Sequence, residues 1–326
     1  MLTERTHDPW LDDTPSLYSL TYPQTPRHKM AMRNHSPPPQ GLPRVTPDQY
    51  CEDKAAKSGS SFYYSFRFLP EDRRRAVTAL YAFCREVDDV VDECSDERIA
   101  RTKLAWWRTE LAALYAGTPQ HPVTQALAPH IGRLDLPQNL FAEIIDGMEM
   151  DLDHARYATF KDLQLYCYRA AGVVGQLCAQ IFGYTERETL KYAHDLGIAF
   201  QLTNIIRDVG EDARRGRIYL PVEDLEQFNV PAADILACRE SDAFAALMAF
   251  QIDRAEQFYR QAFAHLPVAD RKAQRPGLMM AAIYRTTLDE IRRDGAQKVL
   301  NQRTSLTPIR KLWLAWKTWV SGKPPV

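Results

Sequence analysis

Two clusters of acidic residues, about 120 positions apart in the chain, carry their carboxylates at helical spacing. Asp88 and Asp92 form one pair, and Asp208 and Asp212 form the other. Residues four apart lie on the same face of an α-helix, where like charges repel and destabilise an isolated helix. Because both pairs are embedded in apolar sequence, a cation between them is favoured. Carboxylates without His or Cys nearby suit Mg²⁺, which completes its shell with water and phosphate.

Each acidic pair extends into a polar stripe along its predicted helix. The members are Tyr81, Arg85, Asp88 and Asp92 in the first stripe, and Gln201, Asn204, Asp208, Glu211 and Asp212 in the second. Exposure to solvent is the usual reason for such a stripe. The second stripe argues against that reason because it mixes amides with carboxylates and has no Lys at i+4, whereas solvated faces alternate in sign. Together the stripes indicate one site for a cation.

Arginines supply the second half of an anion site. Arg85 and Arg207 neighbour the acids, and the run 214–217, which ends in Arg217, follows the second cluster. A guanidinium group binds phosphate through two parallel hydrogen bonds. For the run 214–217, a solvated helix end with Gly216 as its breaker is the alternative.

Two further segments mix residue types that suit a phosphate or an apolar chain. Ser61 and Phe62 lie in a run of hydroxyl and aromatic residues, although a helix cap followed by a core helix fits equally well. The segment 166–175 begins with Tyr166 and ends with two glycines three positions apart. Since glycine weakens a helix, this spacing indicates close helix packing or a local opening for a ligand.

The bulk composition excludes several classes of protein. The chain has 326 residues, is 45% hydrophobic and 25% charged, and has a net charge of −1, so neither global disorder nor a nucleic-acid partner is expected. Its six cysteines show no zinc spacing and are interpreted as reduced thiols. No apolar run is long enough for a transmembrane helix, and no segment resembles a signal peptide. We therefore expect a cytoplasmic protein.

The pattern divides the chain into three parts. Residues 1–47 hold nine of the 21 prolines and are predicted to be a disordered tail. Residues 48–300 are helical almost throughout, which predicts a single all-α domain. Its predicted helices cover 71–93, 98–116, 121–131, 137–152, 159–182, 186–213, 241–265 and 276–294.

The third part, residues 301–326, is a basic, Trp-rich amphipathic segment. Its apolar stripe consists of Ile309, Leu312, Trp313, Trp316, Trp319 and Val320, and Arg310, Lys311 and Lys317 lie beside it. A stripe of this kind suits a peripheral membrane contact through residues 309–320. A helix docked on the body of the protein is the alternative.

These stretches together resemble the squalene/phytoene synthase family of head-to-head prenyl synthases over residues 48–295. The matching stretches are Ser61-Phe62, LYAFCREVDDVVDE (80–93), DGMEMDL (146–152), YCYRAAGVVG (166–175), FQLTNIIRDVGEDARRGRIYLP (200–221) and the helix from Tyr284 to Arg292. The resemblance implies a single all-α domain of the class I isoprenoid synthase type with a central apolar cavity. The Pro-rich tail is not part of the family's pattern.

Among the subfamilies, the amino-acid sequence of residues 62–107 is most similar to bacterial presqualene diphosphate synthases of the hopanoid pathway. The resemblance implies a Mg²⁺-dependent prenyltransferase that joins two molecules of farnesyl diphosphate and releases diphosphate. The implied metal ligands are Asp88, Asp92, Asn204, Asp208 and Asp212. Implied substrate-binding residues are Ser61, Phe62, Arg85, Gln201, Asn204, Arg207, Arg217 and Tyr284. Tyr81 and Tyr166 are candidates for proton transfer, with released diphosphate as the alternative base. Phe62, Phe66, Leu202 and Ile205 are candidate walls of the cavity, and plain helix core is an equally good interpretation of each.

Other activities fit part of this pattern. Phytoene synthase has the same implied fold and metal site but takes geranylgeranyl diphosphate, and the sequence does not show the cavity floor that sets chain length. A full squalene synthase is disfavoured because no nicotinamide motif is visible. A non-catalytic relative that acts in assembly is disfavoured because both acidic motifs are complete. A terpene cyclase lacks the context of the segments 166–175 and 200–221.

Removing residues 1–45 is expected to leave the melting temperature and the catalytic rate essentially unchanged. The segment has no periodic apolar residues and therefore has little to add to a core. Thermal melts and turnover assays of the full-length and shortened chains check this. A large fall in melting temperature would mean that the segment packs on the domain.

Overall fold

The computed structural model describes residues 45–57, 65–66, 68–94, 96–153 and 156–325. Ser61 and Phe62, predicted to bind substrate, lie outside these residues. The helices are α1 (Pro47–Lys57), α2 (Glu71–Glu93), α3 (Glu97–Tyr115), α4 (Pro122–Ile131), α5 (Gln138–Asp153), α6 (Phe160–Cys167), α7 (Val173–Phe182), α8 (Glu188–Arg214), α9 (Val222–Gln227), α10 (Ala232–Leu236), α11 (Asp242–His265), α12 (Arg275–Asp294) and α13 (Pro308–Ser321). The described residues contain no β-strand, only one bridge between Arg156 and Ile218. The predicted all-α fold is confirmed.

Local sequence explains where the main helices begin. Pro70 stands just before α2, and Glu71 and Asp72 place negative charge at its amino-terminal end, where the helix dipole favours it. The side chain of Asp96 caps α3 by accepting a hydrogen bond from the backbone N–H of Arg98. Thr159 and Asp162 form a reciprocal capping box at the start of α6.

Helix α8 is the central element of the fold. It is 27 residues long, and 15 of its residues are buried. It packs against α7, α11 and α12 and contributes to the larger of the two hydrophobic clusters in the core. The other cluster is built mainly by helices α2 to α5 and α7. Because α7 belongs to the second cluster and packs on α8, it joins the two halves of the core.

Glycine allows α7 and α8 to approach backbone to backbone. A Cβ atom at Gly175 would lie 2.3 Å from the carbonyl oxygen of Ala193, and one at Gly197 would lie 2.4 Å from that of Ala171. Both distances exclude any side chain at these two positions without a shift of the backbone. Just before α7, residues Tyr168–Gly172 form a π-helix, the local irregularity that often occurs at functional sites. Close packing and a local opening therefore occur together in the segment 166–175.

The structure confirms the predicted helix 71–93 at both ends and the other predicted helices to within a few residues. Two differences have a physical reason. The predicted helix 159–182 is interrupted by the π-helix Tyr168–Gly172, because one wide turn adds a single residue and the flanking segments keep their helical period. The short helices α9 and α10 were not predicted, since five or six residues are too few to display a period.

Helix α13 packs on α12 through a face that differs from the predicted apolar stripe. Ala315 and Thr318 are buried there, and Trp319 is half-buried. Five members of the stripe instead face solvent, namely Ile309 (81% exposed), Leu312 (45%), Trp313 (52%), Trp316 (58%) and Val320 (62%). We call these five residues the outer stripe. None of the described helices is both long and apolar enough to cross a bilayer.

Candidate active site

The first acidic pair lies near the carboxyl-terminal end of α2. Nη1 of Arg85 donates to Asp88 Oδ2 at 2.6 Å, and Nη2 donates to Asp89 Oδ1 at 2.7 Å. Lys54, on α1, also binds Asp89 at 2.8 Å. Arg85 therefore neutralises carboxylates in this structure. To bind an anion, its guanidinium group would have to exchange these partners.

The second acidic pair lies on the last two turns of α8. Arg207 holds Asp208 through both nitrogens, with Nε at 2.8 Å from Oδ1 and Nη2 at 2.5 Å from Oδ2. A further cation reaches the same carboxylate from the segment before α13, where Nε of Arg303 donates to Asp208 Oδ1 at 2.9 Å. Arg303 was not predicted from the sequence, because nothing in its own neighbourhood carries a motif.

Two arginines just after α8 connect the acidic helices. Nη1 of Arg217 lies 3.5 Å from Asp92 Oδ1, and Nη1 of Arg215 lies 3.8 Å from Asp92 Oδ2. The structure thus brings the end of α2 and the end of α8 to the same place, as the sequence predicts. It also favours an anion-binding role for the run 214–217 over a solvated helix end, since Arg217 is half-buried.

A fifth carboxylate, Asp151 on α5, faces both acidic pairs. Tyr166 donates a hydrogen bond to its Oδ2 at 3.1 Å, and Tyr219 donates to its Oδ1 at 2.9 Å. The two tyrosine rings stack at 5.3 Å. Sequence reasoning gave Asp151 no role. A signal was present, because the residue continues the buried stripe of Ile144 and Met148, where a carboxylate is out of place.

Burial and mutual repulsion shift the carboxyl groups of this site. Burial raises the pKa of Asp88 to about 6, and Asp92 and Asp151 add to the rise while Arg85 opposes it. Burial also raises the pKa of Asp212 to about 7, with Asp208 adding and Arg215 opposing. The pKa of Asp151 rises to about 6, mainly through burial, against the hydrogen bonds from the two tyrosines. Burial is the main cause of all three rises, so the free site disfavours the charged form of these carboxyl groups.

The same groups fit a divalent cation. Oδ1 of Asn204 is buried and accepts no hydrogen bond from any described residue, although it lies one helical turn before Asp208. An unpaired neutral oxygen beside acids of raised pKa matches the ligands that Mg²⁺ prefers. In the described part of the chain, however, no three acidic, His or Cys side chains converge closely enough to bind an ion alone. Oxygens from a bound substrate would have to complete the shell.

An apolar cavity begins beside the acids and runs into the core between α2, α7, α8 and α12. Tyr81, Gln201, Asn204 and Tyr284 line its upper end, near the carboxylates. Its deeper lining consists of Phe66, Val77, Leu80, Cys84, Ala170, Ala171, Val174, Gly175, Cys178, Ala179, Phe182, Tyr192, Ala193, Leu196, Gly197, Phe200, Gln274, Gly277 and Met280. Tyr81 of the first stripe and Gln201 and Asn204 of the second therefore line one apolar chamber.

The wall prediction is right for one residue and wrong for two. Phe66 lines the cavity, but Leu202 and Ile205 belong to the buried cluster and are absent from the lining. Both pack in the larger hydrophobic cluster instead. Phe200, which was not singled out, lines the chamber and contacts the ring of Tyr284 at 4.7 Å.

The two tyrosines predicted for proton transfer differ in setting. Tyr81 lines the cavity, one turn before Arg85 and two turns before Asp88. Tyr166 instead points at Asp151, and burial together with that carboxylate raises the pKa of Tyr166 well above its usual value. Tyr166 is thus a hydrogen-bond donor that positions Asp151, and it is unsuited to removing a proton at neutral pH.

Sequence comparison gives independent information about this site. The profile of the squalene/phytoene synthase family matches residues 55–310, which include both acidic pairs. A phytoene synthase of Arthrospira platensis is 38% identical over 285 residues, covering 83% of this chain and 92% of its own length. A 15-cis-phytoene synthase of a Synechocystis species is 34% identical over 325 residues, covering 91% of this chain and 95% of its own.

Structure comparison agrees on the fold. A crystal structure of a dehydrosqualene synthase in complex with ligand superposes with a TM-score of 0.76 at 31% sequence identity. The match covers 85% of this chain and 97% of the other. The single helical domain with a central apolar cavity is therefore shared with a prenyl synthase of known structure.

The raised carboxyl pKa values predict how pH acts on the metal-free protein. Because the folded pKa values of Asp88, Asp151 and Asp212 lie above that of an ordinary Asp, the folded chain binds more protons than the unfolded chain between about pH 4 and 7. Their contribution to stability is full below about pH 4 and is lost progressively as the pH rises to about 7. Asp212→Asn should therefore raise the melting temperature at pH 8 and leave it nearly unchanged at pH 4.

Asp53→Asn is the matched control, since Asp53 is exposed on α1 and remote from the site. Melting curves of the wild type and both variants at the two pH values measure the effect. Equal shifts for Asp53→Asn and Asp212→Asn, or no gain at pH 8, would contradict the assigned repulsion.

Proposed function

The chain belongs to the squalene/phytoene synthase family, and we propose that it joins two molecules of geranylgeranyl diphosphate head to head into a forty-carbon hydrocarbon of the phytoene type. Members of the family are prenyltransferases, so head-to-head condensation of prenyl diphosphates is the activity that the membership carries. The arrangement that supports it is two carboxylate- and arginine-bearing helix ends at the mouth of an apolar cavity.

One observation favours the twenty-carbon substrate. The relatives that match most of the chain are named phytoene synthases. The cavity lining on α8 runs from Tyr192 to Asn204, twelve residues apart, which is about 18 Å at 1.5 Å of rise per residue. A chamber of this length does not by itself distinguish a farnesyl from a geranylgeranyl tail, so the names of the relatives carry the choice.

The reaction begins when the C–O bond of one substrate breaks and diphosphate leaves with the electron pair. The double bond of the second substrate attacks the allylic cation, and loss of a proton closes a cyclopropane. The second diphosphate then leaves, the cyclopropane opens as the carbon skeleton rearranges, and loss of a second proton gives the forty-carbon hydrocarbon without a reductant. Arg85, Arg207 and Arg217 surround the mouth and would bind the diphosphate oxygens as negative charge develops on them. Bound Mg²⁺, held by Asp88, Asp92, Asn204, Asp208 and Asp212, would supply further positive charge for the leaving group.

The walls of the chamber protect the cation. Its lining is mostly apolar, so water is kept from the reacting carbons. The rings of Tyr81, Phe200 and Tyr284 line the chamber and can stabilise positive charge through their faces. Because Tyr166 is a poor base, we assign the proton to released diphosphate, which lies beside the cation when it forms.

Farnesyl diphosphate remains the second candidate substrate. It is favoured by the amino-acid sequence of residues 62–107 and by the similarity to a dehydrosqualene synthase of known structure. A product that keeps its second diphosphate, presqualene diphosphate, would then result. The greater similarity to phytoene synthases leads us to place this alternative second.

The product assay separates the two substrates. With Mg²⁺ and no reductant, geranylgeranyl diphosphate should give a forty-carbon hydrocarbon, identified by mass spectrometry of the extract. Asp208→Asn and Asp212→Asn should lower turnover by about 100-fold or more. Each substitution removes a carboxylate that would hold the cations bound to the leaving diphosphate. Presqualene diphosphate from farnesyl diphosphate, with geranylgeranyl diphosphate unreactive, would overturn the assignment in favour of the second candidate.

We also propose that the outer stripe of α13 lies on an anionic membrane surface. Residues 301–326 hold five cationic and no acidic residues, so attraction is local even though the chain as a whole has a net charge of −1. Nζ of Lys317 lies 5.1 Å from the ring of Trp313, at the edge of the stripe. Indole rings flanked by lysines are typical of the bilayer interface, where each lysine adds about 1 kcal/mol.

The double variant Trp313→Ser/Trp316→Ser is expected to bind anionic vesicles roughly 10-fold more weakly, since it removes apolar area that would leave water. Trp106→Ser is the control, because Trp106 is 46% exposed on α3, away from α13. Cosedimentation with vesicles of phosphatidylglycerol measures binding. Equal partitioning of wild type and double variant would exclude the stripe as a membrane contact.

A further inference from the structure

The proposed product poses a problem of release that its substrates do not. A hydrocarbon that has lost both diphosphates has no group that the arginines and carboxylates at the mouth can bind. If the product left through that mouth, a long apolar chain would pass charged groups and enter water. The free-energy cost would be about 25 cal/mol for each Å² of apolar surface exposed. An exit at the apolar end of the cavity would avoid that cost.

The inner end of the cavity is closed by a thin wall. Phe182, the last residue of α7, lines the cavity on one side and a surface groove on the other. Its side chain is 3% exposed. Gln274 stands beside it and donates to the backbone oxygens of Ala179 and Gly183, at 3.3 and 3.0 Å. One aromatic ring and its immediate neighbours thus separate the reaction chamber from the outside.

The groove beyond Phe182 has a volume of about 710 Å³ and suits an apolar chain. Phe68, Leu69, Pro276 and Trp319 supply apolar surface, and the ring of Phe68 lies 5.1 Å from that of Trp319. We call this space the rear groove. The one acidic residue in its described lining, Asp270, accepts hydrogen bonds from Thr185 and Thr189 and is buried, so it presents no free charge.

The rear groove opens beside the outer stripe. Trp319 lines the groove, while Trp316 and Val320, its neighbours on α13, face outward. Three cations, Arg73, Lys272 and Arg275, also line the groove, and Arg275 lies over the ring of Trp319 at 5.4 Å. A surface that is apolar in its floor and basic at its edge matches the depth profile of an anionic bilayer.

From this continuity we propose that the rear groove binds the isoprenoid chain of the product and passes it from the cavity, around Phe182, into the membrane. The inference rests on the proposed function, since only a product without diphosphate needs an apolar exit. The mouth with its metal ligands then serves substrate binding and diphosphate release, and the opposite end serves the hydrocarbon. The outer stripe keeps that end against the lipid.

Ala273→Trp tests the proposal by filling the groove from outside. Ala273 lines the groove but not the cavity, and it is partly exposed, so an indole can be accommodated there. Ala269→Trp, at an exposed position in the same groove, is a second variant in case the first is poorly folded. Ala112→Trp, exposed on α3, controls for an added surface indole. Thermal melts establish that each variant is folded.

Labelled geranylgeranyl diphosphate, Mg²⁺ and vesicles of equal parts phosphatidylcholine and phosphatidylglycerol are used in two regimes. With enzyme in excess, hydrocarbon formation by the groove variants should match wild type, because the chemistry is untouched. With substrate in excess, both should show one rapid turnover followed by a steady rate on the order of tenfold lower, as expected when release limits turnover. The Ala112→Trp protein should behave as wild type in both regimes.

Unchanged steady rates in both folded groove variants would overturn the exit. An equal loss in the two regimes would overturn it as well, because the substitution would then act on the chemistry. Failure of the proposed function gives a different result, since the wild type itself would then form no forty-carbon hydrocarbon in a single turnover.

Discussion

The structure depends on holding like charges together at the edge of an apolar chamber. Asp88, Asp92, Asp151, Asp208 and Asp212 face one another, and burial raises the pKa of three of them. Arginines pair with Asp88, Asp92 and Asp208 in the free protein. Under the proposed function, binding of a diphosphate with its cations would exchange these partners, so that arginine pairs with phosphate and carboxylate with metal. The charges of the free site are thus not fully paired, and bound ligands would pair them.

Burial of apolar side chains in the rest of the fold offsets the free-energy cost of this repulsion. A like-charge pair four residues apart costs only a few tenths of a kcal/mol, whereas each large apolar side chain buried is worth about 1.5 to 3 kcal/mol. Helix α8 buries 15 of its 27 residues and can therefore carry a repulsive carboxyl-terminal end. Gly175 and Gly197 fix α7 against it at backbone contact, so the mouth and the inner cavity keep one geometry.

Much of this was predictable because the relevant signals are local. Helical spacing placed the acids of α2 and α8 on one face each, and the structure confirms that both faces meet. The contribution of Asp151 was missed because its neighbours Asp146, Glu149 and Asp153 make the helix look like an ordinary charged surface. Leu202 and Ile205 were misplaced because apolar residues on one helix can serve either core or cavity. The approach of Arg303 to Asp208 depends on tertiary packing, which no spacing encodes.

One consequence follows from α8 carrying both the acids at the mouth and Tyr192 in the inner lining. An unbroken helix fixes the distance and the angle between these two groups of residues. One inserted residue would move the far end of the helix by about 1.5 Å and rotate it by about a third of a turn. Such a change would turn Asp208 and Asp212 away from Asp88 and Asp92. Selectivity for tail length can therefore change through substitutions along the chamber. Insertions or deletions within α8 would instead disrupt the site at the mouth.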